Sequence, residues 1–234
     1  SIYMVNSYVQ NKELLSREDL KKLYRLNDVF NKDVVEETIV AVRKRIASIL
    51  DNDSLFFDIT VFFKPKKYEN QKTIFRPLHT ATLIDQIAMI AMLQVLVYEI
   101  DAETNQLRLS ELSRLIPSNF YGNRISCNGT ELFKPWQEQY KAYSSKASEL
   151  LNRYSETREY RYEVSLDLEN FFPSISPDVL FHFIASYFSF NADDESKDIL
   201  YSILAKLLYT RLDSLNSTEI AWYLGPNNLQ NYAT

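Results

Sequence analysis

Glycine is scarce in this chain of 234 residues, which contains only Gly122, Gly129 and Gly225. A chain of average composition would carry roughly sixteen glycines, at a usage of about 7%. The phosphate-binding fingerprints G-x-G-x-x-G and G-x-x-x-x-G-K-[ST] need several glycines within a few residues, and the sequence contains neither. The scarcity argues against dinucleotide-binding folds, P-loop folds and turn-dense β-sandwiches. The many leucine, glutamate, lysine and isoleucine residues favour a helix-rich protein.

Cysteine and histidine are also rare, with Cys127, His79 and His182 as their only members. A single cysteine excludes an internal disulfide and a zinc site built on cysteines. Two histidines leave few candidates for a histidine-centred metal site, and we assign neither His79 nor Cys127 a role. The single thiol fits a reducing compartment, so we expect a cytoplasmic protein.

Long apolar runs and an excess of positive charge are missing as well. The most apolar run, residues 87–98, is interrupted by Gln94 and is too short to span a bilayer. The N-terminus shows no basic segment followed by an apolar one, so we expect no secretory signal and no membrane partner. The net charge of −5 argues against general coating of nucleic acid but allows a local basic patch.

The periodicity of apolar residues predicts an α+β fold. Alternation over residues 55–63 and a second apolar run at 73–75 predict a β-hairpin whose polar tip, residues 64–72, is basic. A second alternation over 161–168 predicts another strand. Asp33 with Glu36 predicts a capping box, and Ser176 before Pro177 predicts a helix start. Helical spacing is expected over residues 17–50, 82–100, about 132–155, 177–188 and 194–213.

The predicted hairpin carries Lys64, Lys66, Lys67 and Lys72 and leads into Arg76. A guanidinium fixed between a strand and a rigid proline could hold a phosphate through two hydrogen bonds, with the lysines as additional point charges. The alternative is that the lysines only solvate an exposed tip.

An aromatic and basic loop, SNFYGNRIS, follows at residues 118–126. Aromatic rings stack on bases and arginine holds backbone phosphates, so this composition is typical of nucleic-acid binding. The alternative is a surface loop that packs Phe120 and Tyr121 onto the core.

Asp167 ends the predicted strand over 161–168, with Glu169 two residues further on. Strand alternation places both carboxylates on one face, about 7 Å apart. A carboxylate among apolar residues is costly without a cation, and Mg²⁺ binds through one or two carboxylates together with substrate phosphates. The alternative is an aspartate that caps the following turn.

The order of these segments resembles the N-terminal half of a reverse transcriptase of the group II intron or retron type. Three stretches over about 64–175 carry the resemblance: Arg76-Pro77-Leu78 with Asp85-Gln86, Ser118-Asn-Phe-Tyr-Gly-Asn-Arg124, and Asp167-Leu-Glu-Asn-Phe-Phe-Pro-Ser-Ile175. The loop and the helix-rich flanks look most like the abortive-infection, phage-defence type.

The resemblance implies a helix-rich polymerase fold, with fingers and a helical N-terminal part over residues 1–160. The first part of a palm with a small antiparallel sheet would lie over 161–234. It implies an RNA-directed DNA polymerase, a nucleotidyltransferase that uses Mg²⁺ or Mn²⁺, with deoxynucleoside triphosphates and RNA or DNA as partners. Asp167 would be catalytic and would bind metal together with the Leu168 carbonyl, and Phe172 would exclude a ribose 2′-hydroxyl. The remaining implied contacts are Lys64, Lys67 and Arg76 for the triphosphate, and Tyr121 and Arg124 for the template.

The sequence departs from the family pattern at several points. Glu169 replaces a common lysine, Asn123 intrudes into the glycine-arginine loop, and the chain contains no tyrosine-x-aspartate-aspartate motif. Asp167 alone cannot hold the two ions of nucleotidyl transfer. We therefore expect residues 1–234 alone to synthesise no DNA and the remaining carboxylates to follow Thr234. Two alternatives remain: a non-catalytic nucleic-acid-binding or assembly module, and a metal-dependent nuclease. The chain could also bind further copies of itself as a homo-oligomer.

Overall fold

The computed structural model describes residues 15–26, 31–69, 72–97, 116–122, 124–126, 132–157, 164, 166, 175–191 and 194–212. These residues form an α+β fold rich in helices, with one small sheet, which confirms the predicted class. In chain order the elements are α1 (Arg17–Leu26), α2 (Lys32–Leu50), β1 (Asp58–Glu69), β2 (Lys72–Thr80), α3 (Leu83–Val97), α4 (Trp136–Thr157), α5 (Pro177–Asn191), α6 (Asp194–Leu208) and β3 (Arg211–Leu212).

Side-chain caps fix the start of three helices. Backbone N–H groups of Asp19, Asp85 and Val179 donate to the hydroxyls of Ser16 (3.0 Å), Thr82 (3.2 Å) and Ser176 (3.4 Å). Each bond satisfies an N–H group that has no partner within its helix. The Ser176 cap confirms the predicted start of α5.

The predicted capping box at Asp33 and Glu36 is wrong. Helix α2 begins two residues earlier than that box implies, with Asn31 at the N-cap and no side-chain hydrogen bond from that residue to the helix. Asp33 therefore lies within the first turn, where its charge complements the positive end of the helix dipole.

The core lies between helices α2, α3 and α6. Helix α3 is apolar on nearly all sides and sits between the other two, so it supplies more of the buried side chains than either. The sequence predicted a boundary between two regions at residue 160. Helices α2 and α3 lie before this boundary and α6 lies after it, yet all three contribute to the same core. The largest contributors are Ile49, Phe57, Leu83, Ile87, Met92, Leu96, Leu200, Ile203 and Leu204. None of the described helices is long and apolar enough to cross a membrane.

The predicted hairpin is confirmed, but its strands are longer than expected. Strand β1 runs over Asp58–Glu69 and pairs antiparallel with β2, so Lys64, Lys66 and Lys67 lie within a strand and not at a tip. Pro65 fits inside β1 because β3 pairs only with Asp58 and Ile59. At Pro65 the second edge of β1 has no partner among the described strands, and the missing N–H breaks no ladder bond there.

The strand predicted over 161–168 lies mostly outside the described residues. Val164 and Leu166 are described, and they are strongly exposed and belong to no strand, so the prediction is wrong for these two residues. The helix predicted to reach residue 213 ends at Leu208, and Arg211–Leu212 instead form β3 parallel to β1. The assignment of the chain to polymerase fingers and palm stays a prediction.

Candidate functional site

The β1–β2 hairpin brings the predicted phosphate-binding positions onto one face. Lys64 lies opposite Arg76, and Lys67 lies opposite Ile74, which is two residues before Arg76 on β2. In a regular strand, residues 64 and 67 would point to opposite faces, because side chains alternate with a period of two. The register shifts between Pro65 and Lys67. This β-bulge adds one residue to β1 and returns position 67 to the face shared by positions 64 and 76.

The register assigns most of the basic residues of the hairpin to this face. Lys64 and Lys67 are both exposed, and Glu69 pairs with Lys72 further along the two strands. The face therefore carries four cationic positions against one carboxylate. Such a cluster can attract a polyanion such as a triphosphate.

An ion pair joins helices α2 and α3 beside the residue that precedes β1. Arg45 Nε donates to Asp85 Oδ1 at 2.6 Å, and Arg45 Nη2 donates to Asp85 Oδ2 at 3.4 Å. Asp85 is buried, and the Arg45 guanidinium lies 5.7 Å from the ring centroid of Phe57, just before β1. Gln86 Nε2 donates to the Ala81 carbonyl at 2.9 Å, which ties the end of β2 to α3.

Lys206 on α6 anchors the turn that precedes β1. Its ammonium donates to the carbonyls of Asn52, Asp53 and Leu55, each at 3.0 Å, and lies 4.4 Å from the ring centroid of Phe56. The residue is only 5% exposed. Sequence reasoning missed Lys206, because a lysine in an apolar helix gives no signal that distinguishes an internal donor from a solvated side chain.

A third contact joins β3 to β1. Arg211 donates from Nε to Asp58 Oδ1 at 2.8 Å, with Nη2 2.7 Å from the same oxygen. The Arg211 N–H also donates to the Phe57 carbonyl at 2.9 Å. The residues at and just before the start of β1 are thus contacted from α2, α6 and β3.

The predicted nucleic-acid loop packs against helix α4. Tyr121 meets Tyr143 edge to face with ring centroids 6.1 Å apart, and Tyr143 lies 6.4 Å from Tyr140. Arg124 Nη1 donates to the carbonyls of Ile116 (3.0 Å) and Pro117 (3.4 Å). Arg124 therefore has a structural role in closing the loop, which sequence reasoning did not foresee. Its role at a template stays a prediction.

Loop and helix together form an aromatic surface. We use this name for Phe120, Tyr121, Trp136, Tyr140 and Tyr143. The alternative considered from the sequence, in which Phe120 and Tyr121 pack onto the core, holds for neither residue, because Phe120 is exposed and Tyr121 is only half-buried against α4.

The predicted catalytic residue, Asp167, lies outside the described residues. The same holds for the predicted metal-binding carbonyl of Leu168, for Phe172 and for the neighbouring carboxylate Glu169. Within the described ranges, no group of three or more histidine, cysteine, aspartate or glutamate side chains could hold a metal ion.

Comparisons with family models, curated proteins and solved structures gave no match to this chain. The resemblance to reverse transcriptases therefore rests on the three quoted sequence stretches.

Breaking the buried ion pair is expected to destabilise the protein. Asp85→Asn keeps the shape of the side chain but leaves Arg45 without its counter-charge. Loss of one partner of a buried pair costs about 3–5 kcal/mol, and the partial exposure of Arg45, 24%, lowers the expected cost to about 2–3 kcal/mol. Urea unfolding measures the change. Asp198→Asn, at an exposed position on α6, is the matched control, and equal stability of the two variants would contradict the prediction.

Proposed function

We propose that this chain is the nucleotide-binding part of a reverse transcriptase, an RNA-directed DNA polymerase that acts on deoxynucleoside triphosphates and a nucleic-acid template. The observation that carries the proposal is the register of the hairpin. The bulge aligns positions 64, 67 and 76 on one face, and these are the three positions that the sequence resemblance assigns to the triphosphate.

The chemistry of a triphosphate suits this arrangement. Phosphoryl transfer depends mainly on positioning and on neutralising charge. An arginine can hold two phosphate oxygens at once, while lysines act as mobile point charges. The Arg211–Asp58 pair holds the first residue of β1, and Lys206 holds the turn that precedes it, which favours a defined position for the cationic face relative to the helices.

Asp167, Leu168 and Phe172 enter the proposal through the sequence resemblance alone. Asp167 and the Leu168 carbonyl would hold Mg²⁺, with Mn²⁺ as an alternative ion, and the metal would neutralise phosphate charge. Phe172 would select against a 2′-hydroxyl. One carboxylate and one carbonyl are too few ligands for the two ions of nucleotidyl transfer.

The biological setting also follows from the resemblance. The divergent loop over 118–126 and the helix-rich flanks support the abortive-infection, phage-defence type. On this proposal the protein acts in bacterial antiviral defence in the cytoplasm.

Arg76→Ala tests the nucleotide site directly. A charge-assisted hydrogen bond is worth about 1.5–3 kcal/mol, so we expect the affinity for a deoxynucleoside triphosphate with Mg²⁺ to fall about ten- to a hundredfold. Isothermal titration calorimetry measures the affinity, and urea unfolding checks that stability is retained.

Arg43→Ala is the matched control for Arg76→Ala, because Arg43 is an exposed arginine on α2 and not on the hairpin. We expect this control to bind nucleotide like the unmodified chain. Equal affinities in the two variants would remove Arg76 from the site. Failure of the unmodified chain to bind any nucleotide would overturn the proposed function.

A further inference from the structure

Helix α4 exposes its aromatic side chains. None of its 22 residues is buried, whereas a helix of a globular protein normally buries one face. An exposed cluster of large apolar groups of this kind marks an interaction site. The exposed fractions are 70% for Trp136, 64% for Tyr140, 56% for Tyr143 and 60% for Phe120 in the adjoining loop.

The rings form a continuous series from the loop onto the helix. Trp136, Tyr140 and Tyr143 recur at spacings of four and three residues, which places them on one helix face at intervals of roughly 4.5–6 Å along the axis. The Tyr121–Tyr143 contact connects this series to the predicted template loop. A strand bound at the loop would therefore meet further aromatic rings along α4.

The charge around the rings is positive although the whole chain has a net charge of −5. The described residues next to these rings in the sequence include Lys134 and Lys141 against Glu138, and Arg124 of the loop is bound to carbonyls of its own loop. Lys134 and Lys141 are exposed. Cations next to exposed aromatic rings suit a partner that offers flat π-systems on an anionic backbone.

A second copy of the chain is the main competing occupant. The spacing of the rings continues through Ala147, Leu150 and Tyr154 and matches a coiled-coil repeat. However, coiled-coil seams favour branched aliphatic residues, while this seam begins with a tryptophan and two tyrosines. Tyr143 is also engaged by Tyr121 of the same chain. The aromatic and cationic end of α4 therefore favours nucleic acid.

We infer that the aromatic surface binds single-stranded nucleic acid by base stacking and extends the template-binding loop onto helix α4. The identity of the strand as a template rests on the proposed function, whereas the stacking itself rests on the geometry of the surface. Because stacking needs only the flat face of a base, the site should accept RNA and DNA of any sequence.

The test measures binding of a fluorescein-labelled, 15-nucleotide single-stranded RNA by fluorescence anisotropy. Removing one stacking ring costs about 5- to 100-fold in affinity, so Tyr140→Ala and Trp136→Ala should each show a loss in that range. Tyr140→Phe keeps the ring and should bind like the unmodified chain. The salt dependence of binding should stay unchanged in the alanine variants, because the rings contribute no counterion release.

Tyr24→Ala is the matched control, because Tyr24 is an exposed tyrosine on helix α1. Equal RNA affinity in Tyr140→Ala, Trp136→Ala and Tyr24→Ala would overturn the inference. A dimer in sedimentation experiments that Trp136→Ala dissociates without a change in RNA affinity would also overturn it and would assign the surface to self-association. If RNA binding depends on the rings but no nucleotide binds, this inference stands and the proposed polymerase function fails.

Discussion

On the proposed function, Asp167→Asn is expected to reduce DNA synthesis by several orders of magnitude. The substitution keeps the size and shape of the side chain and removes its negative charge. Because phosphoryl transfer depends on positioning and charge neutralisation, loss of a metal-binding carboxylate should abolish synthesis while the fold persists. Incorporation of labelled deoxynucleotides with Mg²⁺ or Mn²⁺ measures the effect.

Three comparisons make the Asp167 experiment decisive. Asp167→Ala should be as inactive as Asp167→Asn, whereas Asp198→Asn, at an exposed position on α6, should retain activity. Normal incorporation by Asp167→Ala would disprove the catalytic assignment. Residues 1–234 alone are expected to incorporate nothing, because their sequence lacks a tyrosine-x-aspartate-aspartate motif. Activity of that chain would disprove the expectation that its ligand set is incomplete.

The helices and the hairpin were accessible from the sequence because their apolar patterns differ in period. Helix α3 forms where the longest apolar run predicted a buried helix, and the alternation over 55–63 predicted strand β1. Helix ends were less certain. Both Asn31 and Asp33 are suitable N-cap residues, and only the packed structure decides between them.

The bulge and the anchors of the hairpin could not be predicted in the same way. Strand register depends on which face is buried and on partners distant in sequence, and no single residue signals the extra residue of β1. The pairing of Asp58 with Arg211 joins segments separated by 153 positions. The sequence showed that several lysines lie close together in the hairpin. It could not show that positions 64, 67 and 76 share one face, because this depends on the bulge.

Alternation alone did not identify a strand at two positions. The pattern over residues 161–168 predicted a strand, but Val164 and Leu166, which are its described residues, belong to no strand and are exposed. An alternating segment becomes a strand when it finds a pairing partner and a surface to cover. The same dependence on context explains Lys206, whose three carbonyl acceptors come from a turn about 150 residues earlier.

Lys206→Met is expected to destabilise the fold by about 3 kcal/mol. Methionine can fill the space of the lysine stem, but it provides no donor for the three carbonyls. Hydrogen bonds to a charged group are worth about 1.5–3 kcal/mol each. The loss of all three bonds should cost less than the sum of their separate values, because Asn52 and Asp53 are exposed and water can solvate their carbonyls. In a protein of this size the change corresponds to a decrease in Tm of roughly 6–12 °C.

Lys44→Met separates the effect of the three hydrogen bonds from that of the substitution itself. Lys44 is exposed on helix α2, so its replacement should change stability by no more than about 0.5 kcal/mol. Lys206→Arg should give an intermediate stability, because a planar guanidinium cannot direct donors toward three carbonyls around one point as an ammonium does.

Because the anchored turn leads into β1, Lys206→Met should also weaken triphosphate binding at the hairpin. Thermal unfolding and nucleotide titration measure the two effects, and equal melting temperatures for Lys206→Met and Lys44→Met would refute the anchoring role.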